Sequence, residues 1–98
     1  MGIPGIAVDF NEMLDDSLCL LSRDDEKVDS SGARICLSEG LTVHVYMDDL
    51  DEDGQPDPLV ASGTVELNTS KGWSSHVKWC VRIDDKGITR LSERSKTE

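Results

Sequence analysis

Apolar and polar residues alternate along this chain in short stretches, and a period of two, rather than a helical one, sets its architecture. Leu41 to Met47 is the clearest case, with Leu41, Val43, Val45 and Met47 on one face and Thr42, His44 and Tyr46 on the other. Leu59 to Asn68 repeats the pattern: Leu59, Ala61, Gly63, Val65 and Leu67 face inward, Val60, Ser62, Thr64 and Glu66 outward. A glycine inside such a run predicts a bulge or bend at Gly63. His76 to Ile83 puts Val77, Trp79, Val81 and Ile83 inside and His76, Lys78, Cys80 and Arg82 on the opposite face. Shorter strands are predicted at Leu18-Cys19-Leu20-Leu21, at Ala33 to Leu37 and near Ile88 to Leu91. A polar loop or hairpin arm, Arg23 to Gly32, joins the first two of these.

One segment breaks the rule. Asp9 followed by Glu12, with Phe10, Met13 and Leu14 at helical spacing, predicts a short helix over residues 8–16. The whole then reads as one mainly β domain over residues 1–98, a small five- or six-stranded antiparallel SH3-like barrel or bent sheet. Its β part covers 18–91, the N-terminal helix closes one open end, and residues 92–98 form a frayed polar tail. A half-open α+β sheet that dimerises through an exposed edge or face is the second architecture the pattern allows.

Composition narrows the function classes. A chain of 98 residues, 37% apolar and 31% charged, has a lean core and gains from packing against another copy, so a homo-oligomer is expected. Residues 1–57 carry 15 acids against 3 bases and residues 58–98 carry 5 against 7, for a net charge of -10. That field repels phosphate backbones, which speaks against nucleic-acid binding, and it attracts a basic protein partner. Met1 to Val8 is apolar but has no basic residues before it and is broken by Pro4 and Gly5, unlike a secretory signal. With no run of bilayer length, no membrane association and a cytoplasmic location are expected. Cys19, Cys36 and Cys80 form an odd set without a C-x-x-C pair, which points to reduced thiols rather than a disulfide framework or zinc cage.

Three places could carry chemistry. The run Asp48-Asp49-Leu50-Asp51-Glu52-Asp53-Gly54-Gln55-Pro56-Asp57 has the spacing by which loops gather oxygen ligands around Ca2+. Asp49, Asp51 and Asp53 would take positions 1, 3 and 5, Gln55 would offer its carbonyl at 7 and Asp57 would fill 9. Position 12 holds Val60 in place of the closing glutamate, and the flanks read as strands, so an acidic hairpin arm shaped by Gly54 and Pro56 fits the residues better. Second, His76 and Cys80 share a face, but four residues of strand separate them by roughly 13 Å, leaving only His44 of a neighbouring strand to approach either one. Third, Trp73 sits in the loop Lys71-Gly72-Trp73-Ser74-Ser75, either as a partner-binding anchor or as a plug for the barrel end.

The acidic run, taken with Leu59-Val60-Ala61-Ser62-Gly63-Thr64-Val65-Glu66 and Trp73-Ser74-Ser75-His76-Val77-Lys78-Trp79-Cys80, resembles small bacterial proteins of unassigned role carried on mobile, integron-type gene cassettes. That resemblance spans most of residues 18–88. It implies a bacterial cytosolic protein and transfers no catalytic residue. The residues favour a non-catalytic, self-associating protein-binding module that presents its acidic arm, with Trp73, Lys71, Asp51, Asp53 and Asp57 as partner-binding residues. A calcium-binding loop protein and a Cys-His enzyme are the alternatives.

Overall fold

The computed structural model describes residues 4–69, 72 and 74–96, with side chains as far as Glu93. Its strands are β1 (Ile6–Ala7), β2 (Leu18–Ser22), β3 (Glu26–Val28), β4 (Arg34–Cys36), β5 (Thr42–Met47), β6 (Leu59–Leu67), β7 (Trp79–Ile83) and β8 (Thr89–Arg90), followed by helix α1 (Leu91–Lys96). The main sheet has the order β1-β5-β6-β7-β2, with β8 also on β6, and curls into half a barrel. β3 and β4 form a separate two-stranded hairpin. The mainly β class read from the alternation is therefore present. Closure into an SH3-like barrel is not completed, because β1 and β2 end the sheet without pairing.

β6 organises the sheet because it is long enough to serve three neighbours. It pairs antiparallel with β5 from Thr64 to Leu59, with β7 from Gly63 to Leu67 and with β8 through Leu59 and Val60. Directly opposed residues share a face, so Val43, Gly63 and Ile83 form one inward row and Val45 with Ala61 the next. These side chains join Ile6, Cys19, Leu21, Leu37, Val65, Trp79 and Val81 in the main core. The pairings of β6 show no register shift; the irregularity in the sheet lies between Leu20 and Ser22 of β2. Of the bulge or bend expected at Gly63 the bulge is absent, and the glycine marks close backbone approach, since a Cβ there would run into the Arg82 carbonyl oxygen.

Residues 8–16 form no helix. The Glu12 amide does bond the Asp9 carbonyl at 2.9 Å, but Leu14 N then donates to Leu18 O and Leu20 N to Glu12 O, at 2.7 and 3.1 Å. Backbone groups that a helix would have satisfied internally are drawn onto the free side of β2, shielding an otherwise open edge. Side-chain placement follows: Phe10 and Met13 pack on the main core, while Leu14 packs on a second cluster built from Leu20, Val77 and Cys80. An extended segment can feed both sides of a sheet in this way, whereas one helical stripe cannot.

Other differences have similar causes. β7 begins at Trp79, because Val77 N bonds Ser74 O at 3.1 Å in a turn that holds His76 out of the strand. Val77 is buried as expected, yet on the second cluster rather than beside Trp79. Leu67, read as inward, is 44% exposed at the end of β6. β1 pairs in parallel with β5, although its two residues are too few to show a period. The polar tail begins as α1, whose Ser92 amide finds a partner far back in the chain.

Candidate functional site: the acidic arm and its anchor

The segment between β5 and β6 is a hairpin arm whose own sequence makes its tip. Leu50 and Pro56 form an antiparallel bridge, and Asp51 N donates to Gln55 O at 2.9 Å. Gly54 N donates to Asp51 O at 3.0 Å, and Gly54 takes φ of 78°, the left-handed residue that lets a tight turn rejoin its strand. The Asp51 carboxylate accepts from the amides of Asp53 and Gln55, both at 2.9 Å, as a turn-initiating aspartate does. Glu52 and Asp53 are left exposed beyond that turn.

The base of the arm is pinned from the end of the chain. Asp57, only 7% exposed, accepts from Ser92 N at 3.1 Å and Ser92 Oγ at 2.9 Å. It thereby caps the first turn of α1 from outside that helix. Arg90 reaches Asp49 Oδ2 at 3.2 Å and Asp57 Oδ2 at 4.0 Å, and donates to the carbonyl oxygens of Leu50 and Asp57, each at 3.4 Å. Both legs of the hairpin are thus held by one guanidinium. Arg90 and Ser92 carry no local motif, and nothing near either of them in the chain marks it as the partner of an aspartate more than 30 residues earlier.

This geometry bears on the residues suggested as calcium ligands. Asp49 is drawn to Arg90, Asp51 to its own loop amides and Asp57 to Ser92, while Asp53 and Gln55 lie on the exposed turn. Among the described residues no group of three or more His, Cys, Asp or Glu side chains is placed to hold a metal ion. The loop spacing matches a cation loop, but the carboxylates of Asp49, Asp51 and Asp57 are engaged by Arg90, the loop amides and Ser92.

The Cys-His residues are also separated. Cys80 is fully buried between Leu20 and Glu66 in the sheet register. Burial, with Glu66 nearby, pushes its thiol pKa up to about 11. Cys19 points into the main core, where burial pushes its thiol up to about 12, and only Cys36 is exposed. His44 instead meets Ser62, directly opposite on β6, with Nδ1 and Oγ 2.7 Å apart. Nothing in the alternation distinguishes that pair from any other outward row. Trp73 and Lys71, suggested as partner-binding residues, lie outside the described residues. Around them, Asn68 Nδ2 donates to Ser74 O and Val77 O, both at 2.8 Å.

The charge asymmetry of the two halves has an internal use. Lys78 Nζ lies 2.7 Å from Asp25 Oδ1, and Arg82 bridges Asp15 Oδ2 and Glu66 Oε2, each at 3.1 Å. With Arg90 on Asp49, bases of the second half fasten acids of the first. Trp79 Nε1 adds a 2.9 Å bond to Asp25 Oδ1, and the Lys78 and Trp79 bonds together lower the Asp25 pKa. Among the described residues no helix is long and apolar enough to cross a membrane. Compared with protein-family models, with curated proteins and with solved structures, the chain finds no match in any of the three.

Proposed function

We propose that this chain is a non-catalytic binding module that self-associates and presents its acidic arm to a basic protein partner. The observation that carries the reading is the anchoring of the arm: Arg90 and the Asp57–Ser92 pair fix its base while Glu52 and Asp53 remain exposed at the tip. A charged element that is already ordered gives up less conformational freedom on binding than a floppy acidic loop would. Its field speeds encounter with a basic surface and repels nucleic acid. Self-association draws support from a lean core and from the exposed apolar side chains Val28, Leu50 and Leu67. A bacterial cytoplasm is the setting we infer, from the reduced thiols expected of an odd cysteine set and from the resemblance to cassette-borne proteins.

The test has two parts. Sedimentation equilibrium over roughly a hundredfold concentration range should show a species heavier than the monomer. Titration of isotope-labelled protein with a lysine-rich peptide should shift the amides of residues 50–55 in a salt-sensitive way, and the double variant Glu52→Gln/Asp53→Asn should lose that response. A strictly monomeric protein would remove self-association from the proposal. Shifts scattered over the whole surface, unchanged in the double variant, would remove the arm.

A further inference from the structure

The two end strands of the half-barrel approach one another without pairing and leave a groove of about 470 Å3 between them. Ala7 and Val8 form one wall, and Leu20 and Val77, both largely buried, supply an apolar floor. Val8 N donates to Tyr46 O at 2.9 Å, so by ladder alternation the Ala7 amide and carbonyl point away from β5, on the side where Ala7 lines the groove.

Charged side chains also line this groove. Asp9 and Glu12 come from the segment that leaves β1 and runs onto β2, where the Leu20 amide bonds the Glu12 carbonyl, and Arg23, Asp24 and Lys27 from the turn after β2 and from β3. Among the described residues none of these five makes an ion pair, and Lys86 in a distant turn makes none either, whereas Arg34, Lys78, Arg82 and Arg90 are each paired with a carboxylate. Charges of both signs therefore line one groove without neutralising each other. A simple cation or anion would meet its own sign on part of that wall, while a guest carrying both charges satisfies each. The volume suits a small guest with a modest apolar body.

We propose that the groove between β1 and β2 binds a zwitterionic ligand of the α-amino-acid or short-peptide class, with its ammonium toward Asp9 and Glu12, its carboxylate toward Arg23 and Lys27, and its apolar side chain over Leu20 and Val77. The site is independent of the acidic arm, so its success or failure leaves the arm's role untouched.

Free leucine and the dipeptide alanyl-leucine, titrated into the labelled full chain, are the probes. Saturable shifts should centre on the amides of Ala7, Leu20 and Arg23 for at least one of them, and the tighter binder identifies a free amino acid or a peptide terminus as the source. N-acetylation or C-amidation of that probe should weaken binding roughly tenfold or more, as loss of a charge-assisted contact does. Glu12→Gln and Lys27→Met should weaken it similarly, and Lys27→Arg should retain it; Glu12 is exposed and Lys27 half-buried, and the same spectra report the folding of all three variants. Absence of saturable groove shifts with both probes up to about 10 mM, which is weaker than about 3 kcal/mol of binding, overturns the proposal. So does equal binding of the blocked probes or of the charge-removed variants.

Discussion

Replacing Gly63 by alanine tests the packing of the sheet more sharply than any other single change. Its Cβ would lie 2.2 Å from Arg82 O, 2.8 Å from Arg82 C and 2.8 Å from Val81 Cγ2. Two of those atoms are backbone of β7, which is paired on its other side with β2 and has no rotamer to escape into. Relief requires β6 and β7 to separate by roughly an ångström, stretching the ladder around the Gly63–Ile83 pair. Overpacking costs about 1–3 kcal/mol where side chains can adjust, and a backbone clash belongs at or above the top of that range, about 3 kcal/mol. For a domain of this size that corresponds to a melting temperature lower by about 12–24 °C. Gly40→Ala is the control: it has φ of 92° and its added Cβ would meet nothing within 4 Å, so it carries only the left-handed backbone cost of about 1–2 kcal/mol. Urea denaturation of both variants, with slopes compared to confirm an unchanged unfolding reaction, measures the difference. A Gly63→Ala protein within 1 kcal/mol of the parent, or more stable than Gly40→Ala, would refute the close-approach account (the threshold being about one methyl-sized effect).

Asp25 has a lowered folded pKa, from its bonds to Lys78 and then Trp79. Its stabilisation is therefore complete above the unfolded value of 3.8 and is lost as pH falls through the lower folded value. Thermal melts should be flat near neutrality and decline below about pH 4, and Asp25→Asn should flatten part of that decline; an unchanged acid limb in the variant contradicts the assignment. Thiol labelling at neutral pH should modify Cys36 in the native protein and reach Cys19 and Cys80 only on unfolding, since burial raises both buried thiols; rapid native labelling of Cys80 would revive a catalytic thiol. Asp57→Ala should cost about 2 kcal/mol by removing the Ser92 cap and the Arg90 contact. Backbone relaxation should show Asp51 to Asp53 loosened in that variant, and an arm as rigid as the parent's would mean that the anchor lies elsewhere. Calcium at millimolar concentration should leave the melting temperature within about 1 °C, because a ligand that does not bind the native state adds no stability; a rise of several degrees would show that the arm can abandon Arg90 for an ion.

The legible part of this fold was the part fixed by period-two burial. Val43, Val45, Ala61, Val65, Trp79, Val81 and Ile83 were all readable as inward residues, because each strand carries enough alternation to set its own face. Segments whose conformation depends on distant backbone partners were not. Asp9 and Glu12 supply a helix start, and the competing bonds from Leu14 and Leu20 lie in no local pattern. Gly63 stands out by its type alone, while the reason for it, the carbonyl of Arg82, comes from another strand. The acidic hairpin was recognisable from Gly54 and Pro56, but its anchor was hidden, since Arg90 and Ser92 acquire their role only when β8 joins the start of β6. The unclosed side of the sheet was hidden for the same reason: whether β1 meets β2 depends on the accumulated curl of every strand between them.

Charge shows how a linear statistic and a folded surface diverge. The acidic first half and slightly basic second half suggest a molecule divided into oppositely charged faces, able to attract a partner by that division alone. Folding brings Lys78 to Asp25, Arg82 to Asp15, and Arg90 to Asp49 and Asp57, so three bases of the second half hold acids of the first in place. Such exposed pairs contribute little individually to stability, but each places a cation beside one carboxylate, so the negative field is cancelled there and left standing elsewhere. Among the described residues the carboxylates without an ion pair include Glu52 and Asp53 on the arm and Asp9, Glu12 and Asp24 in the groove. The arm has carboxylates and no base at its tip, which suits a cationic protein surface. The groove also keeps Arg23 and Lys27, which suits a guest of balanced charge. The two proposed surfaces therefore differ in whether a base remains unpaired beside their carboxylates.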